Sequence, residues 1–295
     1  MMMRGNKLML LLGILVLLVG IYLVVKFTDS SGRSESFRSE LVTIDNDQVT
    51  KVEIFSPSDT TYLMKNGDIW TVNGKFTADP NSVSSLLNTL KGIKPSRLAS
   101  RSEDTWKDFQ VDESGTRVAA YENGNKTLDI ILGRFNVEGQ RSFYSYVRLE
   151  EESDVYVAKD FMKMSISTGS EAYRNDDLLK VNKDSVSSIR FNYPDSAFVL
   201  SRQESGWMLD DQPADSAAVA KYLQGVRILT SRNFADNPDA PAQYDVVFQN
   251  KSGADKQITA HVGGGVSSST NSAEYWMDPA LHEKVFKGKP YFLGN

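Results

Sequence analysis

The sequence predicts an α+β protein: an N-terminal transmembrane helix, then two tandem repeats of an antiparallel sheet with one packed amphipathic helix each. Three observations predict this. An uncharged apolar run covers Leu8 to Val25, alternating strand-like segments occur in two matching series along the remainder, and an apolar stripe of helical period stands at the same place in each series.

The apolar run comes first. At a rise of about 1.5 Å per residue it spans about 27 Å, close to the hydrocarbon thickness of a bilayer. Tyr22 near one end suits the interfacial aromatic belt. A cleaved secretory signal has a shorter apolar core, about 7 to 15 residues, and a small-x-small exit. Here the run continues into Val24-Val25-Lys26-Phe27, so an uncleaved signal anchor is the better reading. Arg4 and Lys7 before the helix are nearly balanced by Lys26, Arg33 and Arg38 after it. A short basic stub before a single apolar run is the ordinary signal-anchor layout, which puts the N-terminus in the cytoplasm. The expected localisation is therefore a single-pass inner-membrane protein with a periplasmic, extracytoplasmic C-terminal part.

The polar, Ser-rich stretch Thr28–Glu40 reads as a tether, since it holds too little apolar surface to order itself. After it the internal repeat begins. Val49-Thr-Lys-Val-Glu-Ile-Phe matches Val186-Ser-Ser-Ile-Arg-Phe-Asn, and Thr61-Tyr-Leu-Met matches Phe198-Val-Leu-Ser. A turn then leads to Trp70 in one copy and Trp207 in the other, followed by Ala78-Asp79 and Ala214-Asp215. The pattern next changes to helical period. Val83, Leu86, Leu87, Leu90 and Ile93 form one stripe, and Val219, Tyr222, Leu223, Val226 and Leu229 form its counterpart. Asp79 with Pro80, and Asp215 or Ser216, supply the N-caps.

Later segments return to alternation. Val118–Tyr121, Lys126–Leu132 and Ser142–Arg148 match Asp245–Phe248, Lys256–Val262 and Ala273–Asp278. Gly133 and Gly263 each read as a glycine closing a strand before a hairpin turn. Copy one adds a strand at Val155–Ala158, and copy two ends in strand-like Pro290-Tyr-Phe-Leu. Met162, Met164 and Tyr173 are expected to pack at the junction between copies. The predicted organisation is a stub and anchor over 1–27, a tether and lead-in over 28–48, repeat one over 49–160, a linker over 161–185 and repeat two over 186–295.

The tryptophan, the Ala-Asp opening an amphipathic helix, Leu132-Gly-Arg and Tyr173-Arg-Asn-Asp-Asp-Leu-Leu resemble the bacterial family known as domain of unknown function 4340. The resemblance runs from about Val49 onward. It implies a membrane-anchored protein associated with transport systems of the ATP-binding-cassette type and with gliding-motility gene clusters. It implies no functional residues.

Composition narrows the chemistry. The chain has 295 residues with a formal net charge of -5, and Arg4, Lys7 and Lys26 are the only charges in its first 28 residues. An acidic body argues against nucleic acid, whose binding rests on phosphate neutralisation. The absence of cysteine excludes disulfides, thiol catalysis and Cys-type metal sites. His261 and His282, the only histidines, lack metal spacing and read as solvated or singly bonded side chains. Gly263-Gly-Gly265 with Ser267, Ser268 and Ser269 precedes a strand and not a helix, so it reads as a hairpin loop and not a phosphate cradle. Glu150–Glu152 with Asp154 reads as a solvated turn. Asp45, Asp47 and Glu53 lack the glycine and third carboxylate of a calcium loop. Trp70 and Trp207 read as core or rim and not as a sugar platform. Arg134, Arg141, Arg148 and Tyr144 outline an anion edge that copy two, with Gly264 in place of Arg134, does not repeat.

These readings name no catalytic residue, cofactor or metal. They favour a non-catalytic interaction module with the inner membrane and an extracytoplasmic protein as partners, and the family resemblance implies that the protein partner belongs to a membrane transport complex. The alternatives are an envelope-acting hydrolase, or a ligand-binding protein using the groove between repeats.

Overall fold

Period-two burial organises most of the chain. The computed structural model describes residues 15, 17–20, 22, 38–140, 142–236 and 239–294. The described part of the predicted span, Leu15, Leu17–Gly20 and Tyr22, is helical and exposed, and the rest of Leu8–Val25 lies outside the described residues. Among the described residues no helix is long and apolar enough to cross a membrane.

The rest is a mostly antiparallel α+β architecture with few helices. One sheet begins with β1 (Val49–Phe55), β2 (Thr60–Asn66), β3 (Ile69–Val72) and β4 (Phe76–Thr77). It continues, beyond helix Pro80–Lys91, with β5 (Pro95–Ser100), β6 (Thr116–Glu122), β7 (Asn125–Glu138), β8 (Ser142–Leu149) and β9 (Val155–Lys159). Its strand order is β4-β3-β2-β1-β6-β7-β8-β9-β5. After β10 (Asp177–Lys180) the second sheet starts with β11 (Val186–Tyr193), β12 (Ser196–Gln203), β13 (Gly206–Leu209) and β14 (Gln212–Pro213). Helix Ser216–Val226 and β15 (Ile228–Thr230) follow, then β16 (Ala242–Asn250), β17 (Lys256–His261) and β18 (Val266–Ser268). The order is β14-β13-β12-β11-β16-β17-β18, and β10 pairs with β15 in a ribbon of its own.

The chain divides into two compact units. One comprises Met1–Thr43, Leu90–Arg117 and Leu128–Ser165; the other comprises Ile44–Thr89, Val118–Thr127 and Ile166–Asn295.

In the second unit, Val52, Ile54, Leu63 and Val72 alternate inward along the hairpins β1–β2–β3 and are fully buried. Asn73 and Gly74, both at positive φ, make the tight β3–β4 turn that this residue pair favours. Asp79 caps helix Pro80–Lys91, its carboxylate accepting from the Asn81 and Ser82 amides at 3.2 and 3.1 Å. Val83, Leu86 and Leu87 are buried on one side, while Ser84, Ser85 and Asn88 are exposed. Asp215 caps helix Ser216–Val226 in the same manner, accepting from Ala217 and Ala218. Its stripe Val219, Tyr222, Leu223 and Val226 packs with Ile189, Phe191, Phe198 and Phe248 in one core. Both helices stop one step before the stripe does. Ile93 follows Gly92, a poor helix former, and Leu229 belongs to β15, where it pairs with Leu179.

Two predicted elements of this unit are corrected, and one was missed. The strand beside β17 is Val266–Ser268, not Ala273–Asp278. Serines gave it no apolar alternation, and Trp276 from the predicted segment instead makes isolated bridges to Val266 and Phe234. Pro290-Tyr-Phe-Leu lies in a 3₁₀ turn, Lys289–Phe292, with proline in its first positions and Phe292 buried in the core. The sequence reading also missed helix Pro279–Val285, which Asp278 caps through the Ala280 amide. At the junction Tyr173 is buried, its hydroxyl donating to the Ser167 carbonyl at 2.7 Å.

In the first unit, β7 is bulged between Leu132 and Phe135, and Gly133 sits inside it and closes no hairpin. A Cβ at Gly133 would lie 2.3 Å from the Phe109 carbonyl oxygen and 2.6 Å from Val111 Cγ1, so glycine here permits close approach of backbone to backbone. The neighbouring segment, including short helix Trp106–Phe109, was not foreseen. Trp106, Phe109 and Val111 pack with Ile131, Tyr146, Val155 and Val157 in a small core of their own. Met162 and Met164 are exposed, not packed as predicted.

Candidate functional site

The glycine hairpin between β17 and β18 gathers the chain's acid–base groups. Gly263 and Gly264 both hold φ near +90°, which lets the chain reverse within a few residues. Thr259 pairs with Ser267 across the hairpin, so His261, two residues along from Thr259, shares a face with Ser267 as its diagonal neighbour. His261 Nε2 lies 2.8 Å from Ser267 Oγ, and its Nδ1 lies 3.0 Å from the Ala240 carbonyl oxygen. A carbonyl can only accept, so Nδ1 carries the proton and Nε2 accepts from the serine hydroxyl. His282, on helix Pro279–Val285, donates from Nε2 to the Gly264 carbonyl at 3.1 Å. Both histidines thus engage one hairpin.

Tyr275 closes the cluster. Its ring centroid is 5.4 Å from that of His261, and its buried hydroxyl has no hydrogen-bond partner. Burial pushes its phenol pKa up. The hydroxyl presses on Gly265, where a Cβ would fall 1.7 Å from it. Chemically, Ser267–His261 is a hydroxyl beside an imidazole base whose tautomer is set by a backbone carbonyl. That is the start of a nucleophile arrangement with a carbonyl in the place a carboxylate usually takes.

A second polar cluster lies in the same unit and is closed to solvent. Arg174, from the Tyr173-Arg-Asn-Asp segment, reaches Glu274 through Nε at 3.1 and 3.0 Å and through its terminal NH2 group. The guanidinium carbon stacks 3.8 Å from the Phe76 ring centroid and 4.1 Å from that of Phe234. Burial raises the Glu274 carboxyl above its ordinary range, and Arg174 opposes that shift. Both side chains spend their charge on each other.

In the first unit Arg148 is buried over Trp106, with 3.7 Å between the guanidinium and the ring. It donates to the carbonyls of Val111, Leu149, Glu150 and Glu152. Burial lowers its pKa. Of the expected anion edge, Arg148 is therefore consumed as a staple, Arg134 is exposed with its guanidinium 5.6 Å from the Tyr146 ring, and Arg141 lies outside the described residues.

The remaining sequence-predicted positions are dispersed. Trp70 is half-buried on β3, and Trp207 is buried on β13. Glu53 binds Lys51 at 2.6 Å and the Tyr121 hydroxyl at 2.8 Å, so it does not join Asp45 and Asp47. Glu152 bonds Arg38. Among the described residues no three His, Asp or Glu side chains stand together as metal ligands. The Ser267–His261 contact was missed because the two residues belong to strands whose register the sequence left unset. Arg174 and Glu274 are 100 residues apart, with no local pattern linking them.

A family model, domain of unknown function DUF4340, matches residues 70–246. No curated protein and no solved structure matches the chain.

Proposed function

The chain belongs to the DUF4340 family, and on that premise we propose that it is a membrane-anchored, non-catalytic interaction module. In this reading Leu8–Val25 anchors it in the inner membrane, and two copies of one α+β unit face the extracytoplasmic side. They act as an accessory part of a transport system of the ATP-binding-cassette type. The matching strand orders β4-β3-β2-β1-β6-β7-β8 and β14-β13-β12-β11-β16-β17-β18, with an Asp-capped helix after the fourth strand of each, support the two-copy part. The family resemblance supports the transport part.

One observation carries the interaction reading. The buried charges Arg148, Arg174 and Glu274 are spent on internal bonds, while Tyr62, Met64 and Ile69 stand exposed on ordered strands. Large apolar side chains grouped at a surface are what a partner covers. Crosslinking in intact membranes followed by affinity purification of the full chain tests it. Co-purification of transporter subunits is expected; recovery of the chain with nothing but itself and lipid would defeat the transport assignment.

The 2.8 Å contact between Ser267 and His261 favours a second reading, an envelope-acting hydrolase. A fluorophosphonate probe decides it. Covalent labelling at Ser267 that disappears in His261→Ala would establish the enzyme, and an unlabelled Ser267 would leave the pair as a cross-strand hydrogen bond.

A further inference from the structure

The chain has three Asn-Gly pairs, and the structure separates one from the other two. Asn66-Gly67, Asn73-Gly74 and Asn123-Gly124 all lie at exposed turns of the first copy. Asparagine is among the thermolabile residues. Before glycine it is most open to attack, since no Cβ keeps the glycine amide nitrogen from the asparagine side-chain carbon. The attack needs an asparagine side chain free to swing over the following peptide. Asn73 is not free: its Oδ1 accepts from the Tyr62 amide at 2.8 Å, and its own amide donates to the Tyr62 carbonyl at 2.8 Å. Asn123 is held in the same manner by Gln48, through Nδ2 to Oε1 at 2.8 Å and through its amide to the carbonyl at 3.3 Å. Both hold left-handed backbone, at φ 52° and 50°.

Asn66 differs on each count. Its backbone is not left-handed, its side chain has no hydrogen-bond partner among the described residues, and Asn66 to Ile69 are all exposed. One pairing, Asn66 with Ile69, closes the two-residue turn at the end of a four-residue strand. Pairs at such an end open at little cost. The second copy offers no such site: with Trp70 aligned on Trp207, Gln203 and Glu204 stand at the places of Asn66 and Gly67.

We propose that Asn66 is a modification site, where the side-chain amide is lost without any enzyme and an acid takes its place. The Gly67 nitrogen gives up its proton to solvent base and bonds to Asn66 Cγ. The bond from Cγ to the side-chain nitrogen breaks, and that nitrogen takes a proton and leaves as ammonia. Water then opens the resulting cyclic imide at either carbonyl, giving aspartate or, with the backbone rerouted through the side chain, isoaspartate. Either product sets a carboxylate, ionised at neutral pH, across from Ile69 at the edge of the Tyr62, Met64 and Ile69 patch. Isoaspartate also lengthens the backbone by one carbon and breaks the pairing with Ile69. Modification therefore weakens the hold of a partner on that patch, a consequence that rests on the interaction reading above.

The full-length chain is aged in mildly alkaline buffer, once folded and once unfolded in guanidinium, and peptide mapping by mass spectrometry follows all three pairs. Expected in the folded chain is conversion at Asn66 several-fold faster than at Asn73 or Asn123, with both aspartate and isoaspartate formed. In the unfolded chain the three rates converge, because the hydrogen bonds that hold Asn73 and Asn123 are gone. An intact Asn66, equal rates at the three pairs when folded, or the same ranking when unfolded would each overturn the proposal. Crosslinking of Asn66→Asp in membranes reads the consequence, with several-fold less partner recovered than by the unmodified chain. Conversion at Asn66 with undiminished crosslinking of Asn66→Asp defeats the consequence and upholds the site. An unmodified chain that crosslinks to nothing defeats the interaction reading, while the ageing rates still decide the site.

Discussion

Two stretches of the chain, β1–β4 with helix Pro80–Lys91 and β11–β14 with helix Ser216–Val226, share a frame and differ in what hangs on it. Their strand orders agree, each helix starts at an Asp whose carboxylate takes the first free amides, and inward positions of the paired strands are apolar in both except at Thr61, which stands where the second stretch has Phe198. Outward positions and joining segments do not agree. Where a residue starts a helix or, with the exception of Thr61, fills a core, the two stretches accept the same kind of solution; where it faces solvent, each keeps its own. The specific business of the molecule is therefore to be sought in the differences.

The largest expected effect comes from a device with no duplicate. Glu274→Ala strands the Arg174 guanidinium between Phe76 and Phe234 without a counter-charge, and the expected loss is about 3–5 kcal/mol in urea unfolding followed by tryptophan fluorescence. A loss as small as that of a surface ion pair would show that the cluster is hydrated and the comparison overdrawn.

The next test concerns the glycines that the alignment pairs. Gly133→Ala drives a methyl into the Phe109 carbonyl, with an expected cost of about 1–3 kcal/mol or more. Gly263→Ala meets no atom within 4 Å but must hold φ at +92°, an expected cost of about 1–2 kcal/mol. Asparagine, which tolerates positive φ, should recover stability at position 263 and lose more at 133. Equal responses would mean the two glycines do one job after all.

The shared frame predicts equality. Asp79→Ala and Asp215→Ala should each cost about 1 kcal/mol, since each carboxylate bonds two amides at a helix start. Costs differing by more than twofold would say that the helix starts are not equivalent.

The smallest effect is in pH. Burial raises the Glu274 carboxyl above 4.5, so the folded chain holds that proton more tightly than the unfolded chain does. Stability from this group is present below the unfolded value and declines as pH rises through the raised folded value. Glu274→Gln should flatten the decline in stability that sets in as pH rises above the ordinary carboxylate value. An unchanged slope would place its origin in other groups.

Much of the frame was legible because its signals are local. Alternation gave β1, β2, β11 and β12, the Asp-Pro pair gave one helix start, and the stripes gave the helix faces. Local signals also erred where local grammar is ambiguous. Gly133 read as a turn but serves a close approach, and Pro290–Leu293 read as a strand but forms a 3₁₀ turn. Ser267–Ser268 read as loop because serine leaves no hydrophobic trace, although the backbone pairs as a strand. The candidate site was invisible for a different cause: His261 meets Ser267 only once the hairpin register exists.

The sequence alone determined the antiparallel α+β class, the capped helices and the family, since these follow from periodicity and turn chemistry within a dozen or so residues. Tertiary structure alone decided which side chains meet across strands and loops. Arg174 found Glu274, Arg148 found four carbonyls, and Tyr62, Met64 and Ile69 stayed uncovered. The reason is that burial and pairing energies depend on distances between segments far apart in the chain, and no local pattern records those distances.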